Sequence, residues 1–119
     1  MKVYDLWSRE LAPGVELVPF GRLREWGQAV ELRVAPGGVL PGHEAGASQL
    51  FVVVRGRGWV RSGEDGERVR VDEGQAVLFE QGEWHESGSD EWMTAVVLEC
   101  GAFEPAQPVQ PGTDAAPGG

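Results

Sequence analysis

Glycine and proline punctuate this chain at such short intervals that little room is left for helices. There are 18 glycines and 8 prolines, and the segments between them are short and rich in valine, whose branched Cβ favours strands. The chain therefore reads as all-β. Candidate strands are Val15–Pro19, Gln28–Val34, Gln49–Val54, Gly58–Arg61, Arg68–Val71, Ala76–Phe79 and Thr94–Glu99, a spacing that suits a sandwich or barrel. The polar stretch "SGEDGE", Ser62–Glu67, supplies a hairpin turn between the fourth and fifth.

Two of these strands carry opposite patterns. Gln28–Val34 alternates Gln28, Val30, Leu32 and Val34 against Ala29, Glu31 and Arg33, the signature of one wet face. Gln49–Val54 does not alternate: Leu50 to Val54 are all apolar. Both of its faces are expected to be covered, one by the barrel interior and the other by a second sheet or a second subunit. A homodimer resting on Leu50, Val52 and Val54 is the expectation for the latter case.

A length of 119 residues suits one domain. We divide it into residues 1–27, an N-terminal arm and first strand, residues 28–103, the barrel, and residues 104–119, a disordered tail rich in proline, glycine and alanine. Asp5–Leu11 suits a short helical turn or an arm, with Trp7 as an anchor on the barrel or on a partner. The formal charge of −9 would repel nucleic acid and an anionic membrane surface. One cysteine, Cys100, offers no intrachain disulfide and no cysteine-based zinc cluster, and it has no basic neighbour in sequence to activate it. The N-terminus lacks the apolar core of a signal peptide, and no stretch is long enough to span a membrane. A cytoplasmic location is expected, with a small molecule as the partner.

Two spaced stretches carry the chemistry. The first runs from Gly37 through His43 and Gln49 to Gly56; the second, "GQAVLFEQGEWH", runs from Gly74 through Gly82 to His85. Together they resemble the two motifs of the cupin superfamily over roughly residues 28 to 99. The resemblance implies an antiparallel jelly-roll β-barrel with a metal ion inside, held by two histidines and an acid from the first motif and one histidine from the second. His43 and His85 fall on histidine positions, while Ala45 stands at the second histidine of the first motif and Gln49 at the acid. Glu80 replaces the proline of the second motif, and Ser89 its asparagine. Some small cupins similar to pectin-degradation proteins use glutamine as a ligand at the acid position, so the resemblance implies His43, Gln49 and His85 as metal ligands.

The residues themselves allow the same reading and blander ones. Two imidazoles and an amide oxygen converging in a barrel suit a divalent transition metal such as zinc, nickel, iron or copper. Neutral ligands leave the ion its full charge and favour an anionic ligand such as a carboxylate or enolate. Against this, His43 can be a surface histidine in "LPGHEA", His85 a polar residue at the barrel mouth, and Gln49 a buried amide paired with backbone. Glu83, two residues before His85, shares its face by alternation and is the candidate general acid or base, or else a solvated glutamate. Glu44 should point outward. Phe51, Trp59, Phe79 and Trp84 suit core, interface or pocket wall, and Arg55, Arg57 and Arg61 suit a salt-bridged face.

Three functions follow. One is a metal-dependent enzyme of isomerase, dioxygenase or lyase type acting on a small polar or acidic molecule. Another is a binding or sensor module, for which Ala45 is the main support. The last is a metal-free structural barrel.

Overall fold

A computed structural model describes residues 1–106. Among them there are only strands, turns and bends. Ten strands follow in order: β1 Lys2–Asp5, β2 Arg9–Ala12, β3 Val15–Leu17, β4 Gly21–Val34, β5 Val39–Glu44, β6 Ser48–Ser62, β7 Val69–Asp72, β8 Gln75–Phe79, β9 Trp84–Gly88 and β10 Met93–Pro105. Every pairing is antiparallel. One layer runs β1-β8-β6-β10-β4; the other is built from β5, β9, β6 and β7, and β2 and β3 form a separate hairpin. This is the expected jelly-roll barrel.

The two layers share β6. Its first half pairs with β8 and β10, and its second half with β7 and β9. The sequence suggested two strands broken at Arg55–Gly56, but Gly56 bends one continuous strand instead. It sits at φ 76°, a region only glycine enters without strain, and the ladder to β10 slips by one residue beside it. A bulged corner of this kind lets a strand pass from one sheet to the other.

Alternation along β6 explains its doubly apolar sequence. Phe51 and Val53 face inward, where Val60, Val71, Val77, Phe79, Met93, Ala95 and Val97 complete a core between the layers. Leu50 and Val52 face the other way, with Tyr4, Ala76 and Leu78. That outer face is covered by the chain's own Leu6, Phe20, Leu98 and Phe103, leaving Leu50 and Val52 each 1% exposed. Burial on that scale stabilises by about 1.5–3 kcal/mol per side chain. Leu50 and Val52 are thus covered by the chain's own residues, and only Val54 of that trio is exposed.

Asp5–Leu11 forms no helical turn. Asp5 ends β1, which adds an outer strand to β8, and Arg9 opens β2. Trp7, between them, lines a groove with Phe20 and Pro105. The β4–β10 ladder runs from Val34↔Met93 to Gly21↔Pro105, so at its Gly21↔Pro105 end it reaches past residues 28 and 103, and Glu104 and Pro105 lie in a strand. The rest of the expected tail, residues 107–119, lies outside the described residues. No helix of the described residues is long and apolar enough to cross a membrane.

Candidate functional site

Both histidines sit on strands that the composition hid. β5 carries "VLPGHE", and a proline inside a strand is tolerated because β5 is an edge, paired only with β9. Gly42 is required there for a second reason: a Cβ would fall 1.8 Å from the Trp84 ring. Trp84 itself is also packed by Arg61, whose guanidinium lies 4.9 Å from the ring centre and pairs with Glu86 at 2.9 Å. The β5–β9 ladder sets His43 directly opposite His85. Opposed residues on one face have their Cβ atoms about 5 Å apart, and the imidazole centres are 4.5 Å apart.

Each ring is fixed by its backbone. His43 Nδ1 lies 3.0 Å from the Pro41 carbonyl, and His85 Nδ1 lies 3.1 Å from the Glu83 carbonyl. A carbonyl oxygen can only accept, so both Nδ1 atoms carry the hydrogen and a neutral ring keeps its lone pair on Nε2. His85 is 4% exposed and stacks on Phe79 at 4.2 Å between ring centres. Burial pushes its pKa down, with the neighbouring His43 adding to that; the bond to the Glu83 carbonyl and the charges of Glu83 and Glu99 oppose it without reversing it. His85 is therefore held in the neutral form that ligates metals. His43 is exposed, at the mouth.

The two rings open on a cavity of about 140 Å³, close to the size of an engineered cavity that takes benzene. Its polar wall is His43, Gln49, His85, Ser87 and Glu99; its apolar wall is Val30, Leu32, Leu40, Phe51 and Val97. Gln49 thus joins the two histidines, as the motif spacing implied. Its Nε2 donates to Glu99 Oε2 at 3.1 Å, which leaves Oε1 as its free acceptor.

Glu83 does not join them. Its carboxylate accepts from Ser62 Oγ and from the Glu80 N–H, and it pairs with the Met1 ammonium at 2.8 Å. Burial pushes its pKa up, but these hydrogen bonds and the ammonium charge outweigh it and the net shift is downward. It fastens the chain start to the β6–β9 ladder rather than facing the cavity. Ala45 offers no donor either: it is 2% exposed, and its backbone bonds to Gly82 and Glu83. Of the aromatics, Phe51 lines the cavity, Phe79 backs His85, and Trp59 carries Arg68 on its face. Glu44 is exposed, as alternation required, and Arg57 approaches Asp72 and Glu91 in a solvated cluster. Cys100 is fully buried, and desolvation raises its thiol pKa.

Motif spacing missed two polar wall residues, Ser87 on β9 and the charged one, Glu99. Glu99 had a signal: on β10 it follows Ala95 and Val97 at period two, a charge on the inward register of an apolar strand.

The donors available to an ion are two Nε2 atoms and the Gln49 amide oxygen. Among the described residues no group of three or more His, Cys, Asp or Glu is placed to hold a metal, so a four-ligand site of the family kind is not built here. The smaller set fits on two counts. With nitrogen about 2.1 Å from an ion, ring centres 4.5 Å apart are close enough for both Nε2 atoms to reach one ion. Both Nδ1–H groups are also bonded to carbonyls, as metal-ligating histidines require.

With fold and site in place, the cupin family pattern is found to match residues 22–119. The chain belongs to the cupin family. This cupin is similar in structure to a cupin superfamily protein from Desulfitobacterium hafniense, with 12% identity, a TM-score of 0.59, and coverage of 80% of this chain and 76% of that one. It is similar also to a conserved protein with a double-stranded β-helix domain from Klebsiella pneumoniae, at 18% identity and TM-score 0.57 over 70% and 78% of the two chains. A predicted oxalate decarboxylase from Thermotoga maritima matches at 15% identity and TM-score 0.54, over 65% and 64%. At these identities the likeness establishes the fold of this cupin and nothing finer. No curated protein matches its sequence.

Proposed function

We propose that this cupin binds a small polar or acidic molecule of about benzene size in its barrel cavity, on a divalent transition-metal ion held by His43, His85 and Gln49. The supporting observation is the pair of imidazoles on opposed strand positions, each with Nδ1–H tied to a carbonyl and Nε2 free. Neutral rings in that state are ligands ready for zinc, nickel, iron or copper. When bound, such an ion polarises a coordinated oxygen and lowers the pKa of a bound water. The chain's own part is to hold the ligand against Val30, Leu32, Leu40, Phe51 and Val97 and to restrict its size. An acidic ligand and lyase-type chemistry suit such a site, and so do isomerase and dioxygenase chemistry; one structural neighbour is described as a predicted oxalate decarboxylase.

A second reading is a binding or sensor module without turnover. It is favoured by Ala45, which removes a donor, and by Glu83, whose carboxylate is committed to Ser62 and the chain start. A buried, unpaired Cys100 suits a reducing cytoplasm. A homodimer would have to use other apolar surface, such as Leu23, Trp26, Val39 or Leu40.

The test is metal analysis of protein purified without a histidine tag, before and after reconstitution with zinc, nickel, iron or copper. One ion per chain is expected, lost in His43→Ala and His85→Ala. Absence of metal in the wild type after reconstitution would overturn the reading. A small acid that raises the melting temperature and is recovered unchanged would favour the sensor.

A further inference from the structure

We infer that Glu99 is the positioning residue of this site: it fixes the Gln49 amide so that its oxygen faces the cavity. The inference rests on the proposed metal site.

Gln49 and Glu99 are cross-strand partners on β6 and β10. The two oxygens of Glu99 take one amide each, Oε2 from Gln49 at 3.1 Å and Oε1 from Gln28 at 3.2 Å. A carboxylate only accepts, so each glutamine must turn its NH2 toward Glu99. For Gln49 that choice decides which atom is left for the cavity, since the amide oxygen lies opposite the nitrogen. The same hydrogen bond draws electron density toward Oε1 and makes it a better donor. Partners of this sort orient ligands, and their loss typically lowers metal affinity 10–100-fold.

Glu99 also lines the cavity. It therefore holds Gln49 from within the same wall.

The experiment uses the full chain with Co2+ and Zn2+, measuring affinity by titration calorimetry and the Co2+ absorption spectrum. Glu99→Gln is nearly isosteric, but an amide at 99 can donate as well as accept, so Gln49 is free to flip. We expect Glu99→Gln to weaken Co2+ binding 10–100-fold and Gln28→Ala to change it less than about 3-fold. In a Gln49→Ala background Glu99→Gln should have almost no further effect. In the metal-free protein the Gln49 side-chain NH2 signals should move in Glu99→Gln, which also shows whether the variant is folded.

Wild-type affinity in Glu99→Gln, with the wild type binding normally, would overturn this inference and leave the metal site standing. An undiminished effect in the Gln49→Ala background would overturn it too, since Glu99 would then act on the ion directly. Absence of binding in the wild type would remove the metal site and this inference together.

Discussion

Phe79→Leu tests how the core holds the site. Phe79 is fully buried, stacks on His85 at 4.2 Å and meets Phe51 edge-on at 6.5 Å. Each such aromatic contact contributes about 0.5–1.5 kcal/mol beyond area burial. Leucine refills most of the volume, and the remaining gap costs roughly 1 kcal/mol. The expected loss is therefore about 2–4 kcal/mol, or a melting temperature lower by roughly 8–16 °C at about 4 °C per kcal/mol for a chain of this length. Urea denaturation followed by tryptophan fluorescence gives the first number directly. A second consequence concerns the imidazole. Burial is the main reason the His85 pKa is low, so the looser wall should let it rise toward the ordinary 6.5, as read from its ring proton in an NMR titration. A loss under about 0.5 kcal/mol, within the range of an ordinary surface change, with an unmoved His85 would refute the claim that Phe79 holds the ring.

Other outcomes follow from the same structure. Because the His85 pKa is lowered on folding, the unfolded chain binds the extra proton first. Its contribution to stability is full above pH 6.5, falls as the pH drops toward the folded pKa and then levels, and a His85→Gln variant should flatten that decline in pH-dependent denaturation. Glu83 has a lowered pKa as well, so its contribution is present above pH 4.5 and lost on further acidification; Glu83→Gln should be less stable at pH 7 and lose less between pH 5 and pH 3. Gly56→Ala adds a Cβ 2.0 Å from the Trp92 carbonyl at φ 76°, whereas Gly74, at φ 89°, has open space. Thermal melts should show Gly56→Ala to be the costlier by at least about 1 kcal/mol, since both pay backbone strain but only one clashes.

How much of this could be read in the sequence depended on the kind of signal. Period two on β4 and the apolar run Leu50–Val54 of β6 pointed to barrel strands, because side chains on a pleated strand alternate whatever their neighbours are. β5 and β9 were invisible by that measure. "LPGHE" holds a proline and a glycine that normally mark turns, and only its place at an edge and against Trp84 makes it a strand. The candidate site was reached through the resemblance to the cupin motifs instead, which pointed to His43, Gln49 and His85; all three line one cavity. Glu83 illustrates where such reasoning stops: alternation assigns it to a face, but its partners, Ser62 and the Met1 ammonium, are set by tertiary contacts. Glu99 lay on a recognised strand and was missed because the motif directs attention to β5, β6 and β9, not to the neighbour across the ladder.

The shared strand β6 also governs how the barrel assembles. Its pairing with β7 closes through a short turn, but its pairing with β10 joins Leu50 to Leu98, 48 residues apart, and that longer closure costs more chain entropy and slows folding. Since β6 is a member of both layers, neither layer is complete while the other is open. Hydrogen exchange along β6 should then report one opening free energy on both sides of Gly56, so that cavity wall and outer face protect each other as a single cooperative unit.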